Sequence, residues 1–80
     1  MNTGKERISV IIPALNEQDS IGRVINDIPK NMVDEIIVVD NGSIDNTAGI
    51  AQSAGARVVR ESHRGYGAAC LKGIASANHP

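Results

Sequence analysis

Three short polar segments contain most of the side chains in this 80-residue sequence that could do chemistry. They run from Pro13 to Glu17, from Asp40 to Asp45 and from Ser62 to Gly67, and each follows a more apolar run. Carboxylate and amide groups form hydrogen bonds with a bound molecule, and glycine lets the backbone approach one closely. If the apolar runs are parallel strands, their carboxyl ends bring the three segments together at one edge of a sheet.

The first segment, Pro13-Ala14-Leu15-Asn16-Glu17, predicts the end of a strand and the start of a helix. Pro13 fixes φ and stops the strand, and Asn16 is a typical helix N-cap residue. Glu17 then falls in the first helical turn, where free N–H groups favour its ionised form. Such a carboxylate accepts hydrogen bonds from a ribose hydroxyl or a base N–H, and it repels phosphate. Taken by itself, the local sequence favours a plainer interpretation, in which Asn16 and Glu17 only cap the helix.

The second segment, Val39-Asp40-Asn41-Gly42-Ser43-Ile44-Asp45, closes the most apolar run of the chain. A carboxylate at the end of the second strand of a βαβ unit commonly faces a ribose or a base. An acid at the end of an apolar strand needs a hydrogen-bonding or charged partner. For Asp40 the sequence favours neither of two interpretations over the other: a contact with a ligand, or a place in a solvated turn. The Asn-Gly pair tolerates positive φ and predicts a tight turn. For Ser43 and Asp45, a turn and a helix N-cap are the favoured roles.

The third segment, Arg64-Gly65-Tyr66-Gly67-Ala68-Ala69, places small residues at the start of a helix, where backbone N–H groups suit phosphate. Arg64 would add a bidentate contact there. The pattern is short, however, and its glycines do not follow the first strand, as those of a dinucleotide-binding motif do. An NAD-binding domain is therefore disfavoured.

Alternation of apolar and amphipathic segments predicts three strand–helix units. The middle strand has four consecutive β-branched residues, which is typical of a strand buried on both faces of a parallel sheet. The predicted fold class is therefore α/β, with a Rossmann-like parallel sheet whose third strand is an exposed edge. The predicted elements are strands Ile8–Ile12, Glu35–Asp40 and Ala56–Arg60, and helices over about 16–28, 45–54 and 68–77.

Composition narrows the class of protein. The apolar fraction is 41% but the aromatic fraction is 1%, so the core is aliphatic and offers no platform on which several bases could stack. Eight basic and nine acidic residues give a net charge of −1, which argues against nucleic-acid binding. The lone cysteine, Cys70, excludes an intramolecular disulfide and favours a reducing compartment. The sequence has no run of the ~20 apolar residues that a transmembrane segment needs.

Taken together, the segments resemble the family 2 glycosyltransferases, and most of all the branch that transfers mannose or glucose to dolichyl or polyprenyl phosphate. The stretches that carry the resemblance are Ile8 to Glu17, Glu35 to Ala48, and Gly55–Ala56 with Arg64 to Ala69. They cover nearly the whole chain. The resemblance implies a GT-A fold, of which residues 1–80 would form the N-terminal βαβαβα half.

That resemblance also implies an inverting transfer of a sugar from a nucleotide-diphosphate donor to an acceptor such as a polyprenyl phosphate. It places the protein in the cytoplasm or at the cytoplasmic face of a membrane. The nucleoside pocket of the family maps here onto Pro13, Leu15, Glu17, Val39, Asp40 and Asn41.

Members of this family use a divalent metal, Mg²⁺ or Mn²⁺, held by an Asp-x-Asp motif that follows a further strand, and their catalytic base lies beyond it. This sequence contains no Asp-x-Asp. The resemblance therefore implies no catalytic residue and no metal ligand within residues 1–80, and we expect this stretch to be inactive alone.

Two other functions are open on the sequence. One is a non-catalytic α/β module that pairs its open sheet edge with a partner chain, and a stable oligomer formed without nucleotide would favour it. The other is a nucleotidyltransferase. It ranks last, because that class expects a glycine-rich loop with Arg or Lys after the first strand.

Overall fold

Strands and helices alternate along the chain, as the sequence predicts. The computed structural model describes residues 8–63 and 65–77, and within them the strands are β1 (Ser9–Ala14), β2 (Glu35–Asp40) and β3 (Arg57–Arg60). The helices are α1 (Ile21–Asn26), α2 (Thr47–Ser53) and α3 (Tyr66–Ser76), and a 3-10 turn spans Lys30–Met32. The predicted α/β class is confirmed.

The middle strand, β2, is buried on both faces of a parallel sheet whose order is β1-β2-β3. Ile36 and Val38 belong to the core on one face, and Ile37 and Val39 belong to the core on the other. All four side chains are buried. This two-sided burial is the physical reason for the uninterrupted β-branched run in the sequence.

Helices cover both faces of this sheet. Ile21 of α1 and Ala51 of α2 join the core on the face of Val38, while Ala69 of α3 joins the core on the face of Val39. Gly73 allows α3 to pack closely, because a Cβ at this position would overlap Ile11 Cγ2 and lie 3.2 Å from Val39 Cγ2. The buried apolar side chains of the described residues are all aliphatic, as the composition predicts.

The carboxyl ends of the three strands meet at one edge of the sheet. Ala14 of β1 pairs with Asp40 of β2, and Asp40 pairs with Arg60 of β3. The first residues beyond the strands continue this pairing, since Asn41 N donates to Ala14 O at 2.9 Å and Glu61 N donates to Asp40 O at 3.1 Å. Open parallel sheets bind ligands at this edge.

Pro13 does not end the first strand, contrary to the prediction. β1 continues through it to Ala14. The carbonyl oxygens of Ile8 and Ala14 both accept hydrogen bonds from the β2 segment, so the even-numbered residues of β1 form the ladder with β2. The backbone N of an odd-numbered residue such as Pro13 faces away from β2. The lack of an N–H at Pro13 therefore removes no hydrogen bond from that ladder.

The first helix is shorter than predicted. α1 begins at Ile21, with Ser20 at its N-cap, so Glu17 does not lie in a helical turn. Asn16, predicted as the N-cap, instead has φ +53° and lies in the loop before the helix.

The remaining elements lie close to their predicted positions. α2 begins at Thr47 with Asn46, rather than Asp45, at its N-cap. Gly55, predicted to stop that helix, follows it with φ +103°. β3 begins at Arg57, and α3 begins at Tyr66, two residues before the predicted start.

Within the described residues, no helix has both the length and the apolar character needed to span a bilayer. Cys70, on α3, is a free thiol and is partly buried. Arg64 and the terminal stretches 1–7 and 78–80 lie outside the described residues, so the phosphate contact predicted for Arg64 has no structural account.

Candidate functional site

Three loops meet at the carboxyl edge of the sheet. We name them loop 1 (residues 15–20), loop 2 (residues 41–46) and loop 3 (residues 61–65, described except for residue 64). The six residues predicted for the nucleoside pocket lie in loops 1 and 2 or at the strand ends before them, so the fold places all of them at this edge. These six residues differ in burial, and the exposed side chains among them are directly accessible to a ligand.

Loops 1 and 2 are joined by reciprocal hydrogen bonds between backbone and side chains. The bonds, with the donor first, are Asn16 N to Ser43 Oγ (2.9 Å), Ile44 N to Asn16 Oδ1 (2.9 Å), Gln18 N to Asp45 Oδ2 (3.2 Å) and Asn46 N to Gln18 Oε1 (3.0 Å). These bonds hold loop 1 out of the helical conformation, which explains why α1 begins later than predicted. The two loops therefore form one structural unit.

Thr47, the first residue of α2, connects this unit to Glu17. Its side chain is fully buried, its Oγ1 accepts from Glu17 N at 2.7 Å, and the same hydroxyl donates to Asp45 Oδ1 at 2.5 Å. Thr47 N also donates to Asp45 Oδ1, at 3.0 Å. The hydroxyl of Thr47, helped by backbone N–H groups including that of Gln18, lowers the pKa of Asp45 below its usual range.

Sequence reasoning missed the roles of Thr47 and Gln18. The Asp-x-Thr spacing at the start of α2 was the available signal for Thr47, because Asp and Thr side chains commonly bond to backbone groups near a helix start. No local signal points to Gln18, since its partners lie 27 and 28 residues away in the chain.

Loop 1 presents two of the predicted site residues to solvent. Leu15 is 38% exposed, and Glu17 is exposed with Ser20 Oγ 3.5 Å from its Oε2. Pro13, at the end of β1, is partly buried. The side chains of Leu15 and Glu17 are therefore accessible to a ligand at the carboxyl edge.

Asp40 is a buried acid with one carboxylate oxygen that lacks a hydrogen-bond donor. Its side chain is 1% exposed; Oδ1 accepts from Ser43 N at 2.9 Å, whereas Oδ2 accepts no hydrogen bond from the described residues. The Arg60 guanidinium, which is 74% exposed, approaches Oδ2 only to 3.9 Å, too far for a hydrogen bond. A buried oxygen of this kind favours a ligand that supplies an N–H or O–H group.

An open pocket of about 300 Å³ lies beside Asp40, at the carboxyl ends of β2 and β3. Its lining residues are Asp40, Asn41, Gly42, Arg60, Glu61 and Ser62. The partly satisfied carboxylate of Asp40 therefore borders an accessible space.

Asn41 is buried and holds loop 3. Its Nδ2 donates to Glu61 O at 2.8 Å and to His63 O at 2.7 Å, and its Oδ1 accepts from Gly65 N at 3.0 Å. Val39 is also buried, in the core beneath α3. Of these two residues predicted for the nucleoside pocket, Val39 therefore has no exposed side-chain surface, and Asn41 uses its amide within the protein.

Loop 3 also contains an exposed pair of titratable groups. His63 Nδ1 lies 3.0 Å from Glu61 Oε2, and the same carboxylate oxygen accepts from His63 N at 2.8 Å. The bond from the His63 backbone is the main cause of a lowered pKa at Glu61, and the His63 side chain adds to it. In the described part of the chain, no group of three or more His, Cys, Asp or Glu side chains is arranged to hold a metal ion.

A family model described as glycosyl transferase family 2 matches residues 9–80. The chain belongs to this family. An uncharacterized glycosyltransferase of Mycobacterium tuberculosis is 40% identical over 75 residues, which are 94% of this chain and 34% of that protein. Glucosyl-3-phosphoglycerate synthase of Mycolicibacterium paratuberculosis is 54% identical over 55 residues, which are 65% of this chain and 17% of that protein.

Solved structures of the same family superpose closely on the chain. Glucosyl-3-phosphoglycerate synthase of M. tuberculosis, in complex with Mn²⁺, UDP-glucose and glycerol 3-phosphate, is 37% identical with a TM-score of 0.85. The match covers 95% of this chain and 31% of that one. The chain thus has the N-terminal part of the GT-A fold, as the resemblance implied, and spans about a third or less of the length of these relatives.

Proposed function

We propose that the full-length protein is a glycosyltransferase that uses a nucleotide-diphosphate sugar and inverts the transferred sugar, and that residues 1–80 bind the nucleoside end of the donor. One observation carries this proposal. Asp40 borders an open pocket at the carboxyl edge of the sheet, and its buried Oδ2 accepts no hydrogen bond from the described residues. A ribose hydroxyl or a base N–H would supply the donor. UDP-glucose in a 37% identical family member supports this donor class.

In this proposal, the six residues act at different depths. Leu15 supplies apolar contact to the nucleoside, and the exposed carboxylate of Glu17 accepts from its hydroxyl or N–H groups. Asp40 takes a further hydrogen bond through Oδ2. Pro13, Val39 and Asn41 support the pocket from the strand ends, where they are buried or partly buried.

The diphosphate of the donor needs a divalent cation, for which the described residues contain no ligand cluster. We place the ligands of a divalent metal, Mg²⁺ or Mn²⁺, in the remainder of the protein, since the described residues contain no metal-binding cluster. The pocket is lined by two carboxylates, of Asp40 and Glu61, and by one guanidinium, of Arg60, so its lining has no excess positive charge to favour a phosphate. The nucleoside therefore lies at this end, and the diphosphate points away from it.

The acceptor in this proposal carries a phosphate group. The family resemblance suggests polyprenyl phosphate, and the 37% identical synthase binds phosphoglyceric acid together with UDP-glucose and Mn²⁺. Transfer of labelled glucose to each acceptor, in separate reactions with the full-length protein, distinguishes the lipid from the small acid. The free thiol of Cys70 fits a protein of the cytoplasm, and transfer to the lipid alone would place it at the cytoplasmic membrane face.

Calorimetric titration of UDP-glucose and GDP-mannose into the full-length protein tests the site. Glu17→Gln keeps the size of the side chain and removes its charge, so we expect binding to weaken by about tenfold or more. Asp19→Asn, which removes an exposed charge from the same loop, is the matched control and should bind within about twofold of the unaltered protein. Equal affinity in Glu17→Gln would reject the site. A stable oligomer with no nucleotide affinity would favour the interaction module instead.

A further inference from the structure

The side chain of Asn41 makes three hydrogen bonds, and all of them reach the backbone of loop 3. The two N–H groups of Nδ2 donate to Glu61 O and His63 O, and Oδ1 accepts a hydrogen bond from Gly65 N. The donor–acceptor distances are 2.8, 2.7 and 3.0 Å, and the residue is 7% exposed. A side-chain amide has only two N–H groups, so Asn41 retains no donor for a ligand.

This arrangement is specific to an amide. An aspartate has the same shape, but it would direct a carboxylate oxygen at the carbonyl oxygens of Glu61 and His63, which also accept hydrogen bonds. The contacts would then be repulsive and buried. Gly65, whose N–H donates to Asn41 Oδ1, has φ +119°, a backbone conformation that favours glycine.

Loop 3 forms one wall of the pocket beside Asp40, through Glu61 and Ser62. Glu61 is fixed at its N–H by Asp40 O and at its carbonyl by Asn41. Removal of the amide of Asn41 would release the carbonyl groups of Glu61 and His63 and the N–H of Gly65. The position of that wall therefore depends on Asn41.

We propose that Asn41 is a positioning residue, which holds loop 3 at the carboxyl edge and so shapes the nucleoside pocket, without distinguishing one base from another. The proposal rests on the proposed function. It differs from a direct base contact, for which Asn41 has only the second lone pair of Oδ1. The two roles have different consequences when the base is changed.

Amide hydrogen exchange in the nucleotide-free, full-length protein tests the anchoring of loop 3. In Asn41→Ala all three bonds are lost, so the Gly65 amide should exchange at least about tenfold faster. In Asn41→Asp only the two donated bonds are lost and an oxygen acceptor for Gly65 N remains, so the Gly65 amide should exchange more slowly than in Asn41→Ala. The amide of Val38, in the middle strand, is the internal reference, because unfolding of the whole domain would accelerate it too. Asn31→Asp makes the same change at the opposite edge of the sheet and should leave Gly65 unaffected.

Binding of UDP and CDP to the same proteins separates positioning from base recognition. Uracil has an N–H at position 3 and cytosine has an acceptor there, so a direct contact to Oδ1 would distinguish them. We expect Asn41→Ala and Asn41→Asp to weaken both nucleotides by the same factor, about tenfold, while Asn31→Asp changes neither. A change in the UDP to CDP ratio in Asn41→Ala, or unaltered exchange at Gly65, would overturn the proposal.

Failure of the proposed function has a different signature. If the unaltered protein binds neither nucleotide, the proposed function and the positioning role for a nucleoside pocket are both rejected, even where Gly65 exchange accelerates. If the unaltered protein binds UDP and the Asn41 variants bind it equally well, the positioning role alone is rejected.

Discussion

At the scale of single residues, Thr47 shows how a hydroxyl in the core can organise an exposed site. It accepts from Glu17 N at 2.7 Å and donates to Asp45, although no part of its side chain is exposed. Glu17 is therefore held by its backbone, while its carboxylate stays accessible. A substitution at Thr47 should affect the presentation of Glu17 without touching a ligand.

We expect Thr47→Val to lower the free energy of unfolding by about 1–3 kcal/mol, because it removes the partly buried hydrogen bond from Glu17 N and leaves that N–H without its partner. Urea denaturation measures this loss, and faster exchange of the Glu17 amide locates it. Thr47→Ser keeps the hydroxyl and is the matched control, in which the Glu17 amide should stay protected. Loss of protection in Thr47→Ser as well would show that packing of the methyl group, rather than the hydrogen bond, holds loop 1.

Asp45 makes the same unit sensitive to acid. Its pKa is lowered mainly by the Thr47 hydroxyl, so its ionised form stabilises the fold. That contribution is present above the unfolded pKa of about 3.9 and is lost as the pH falls through the lower folded value. The urea midpoint should therefore fall less between about pH 7 and about pH 3 in Asp45→Asn than in the unaltered protein. An equal fall in both proteins would contradict the stabilising role of the ionised Asp45. Asp19→Asn is the control, and its urea midpoint should fall as much as that of the unaltered protein.

At the scale of elements, α3 is fixed on the sheet by the absence of a side chain at Gly73. A Cβ there would overlap Ile11 Cγ2. This contact holds α3 over Ile37 and Val39, and loop 3 leads directly into the same helix. The packing of the helix and the position of the pocket wall are thus connected.

Gly73→Ala should destabilise the protein, by about 1–3 kcal/mol, although alanine favours a helix by about 1 kcal/mol over glycine. The reason is overpacking against Ile11 and Val39. Gly67→Ala, in the first turn of the same helix, is the control: nothing lies within 4 Å of a Cβ there, so its stability should be unchanged or higher. Thermal unfolding of both variants measures this difference in stability. A Gly73→Ala protein as stable as Gly67→Ala would show that α3 shifts freely on the sheet.

The sequence predicted the elements better than the contacts between loops. β2 was predicted with its observed bounds, because its β-branched run responds to burial on both faces. Asn16 was misjudged, since its partners Ser43 and Ile44 lie far along the chain and no local pattern reveals them. For Asp40 the sequence predicted only the need for a partner. The fold shows that Ser43 N donates to Oδ1, that the Arg60 guanidinium lies 3.9 Å from Oδ2, and that Oδ2 accepts no hydrogen bond from the described residues.

At the scale of the whole molecule, the described part of the chain suits one end of a donor better than the other. The pocket is lined by two carboxylates and one guanidinium, the net charge of the sequence is −1, and the described residues offer no cluster for a metal ion. These features favour a neutral nucleoside over a diphosphate. The chain also spans about a third of the length of these relatives. In the proposed function, the remainder of the protein therefore binds the cation and the acceptor, and this stretch binds the nucleoside.

This division predicts that a chelator will affect the two ends of the donor differently. In the full-length protein, EDTA should weaken UDP by about tenfold or more, because the diphosphate loses its cation, while uridine should bind within about twofold of its original affinity. Glu17→Gln should instead weaken UDP and uridine by the same factor, since both contain the nucleoside. Calorimetry with and without Mn²⁺ measures the affinities for UDP and uridine in the unaltered protein and in the variant. If EDTA also abolished uridine binding, the metal would be holding the nucleoside pocket together, and the division between this stretch and the remainder of the protein would be wrong.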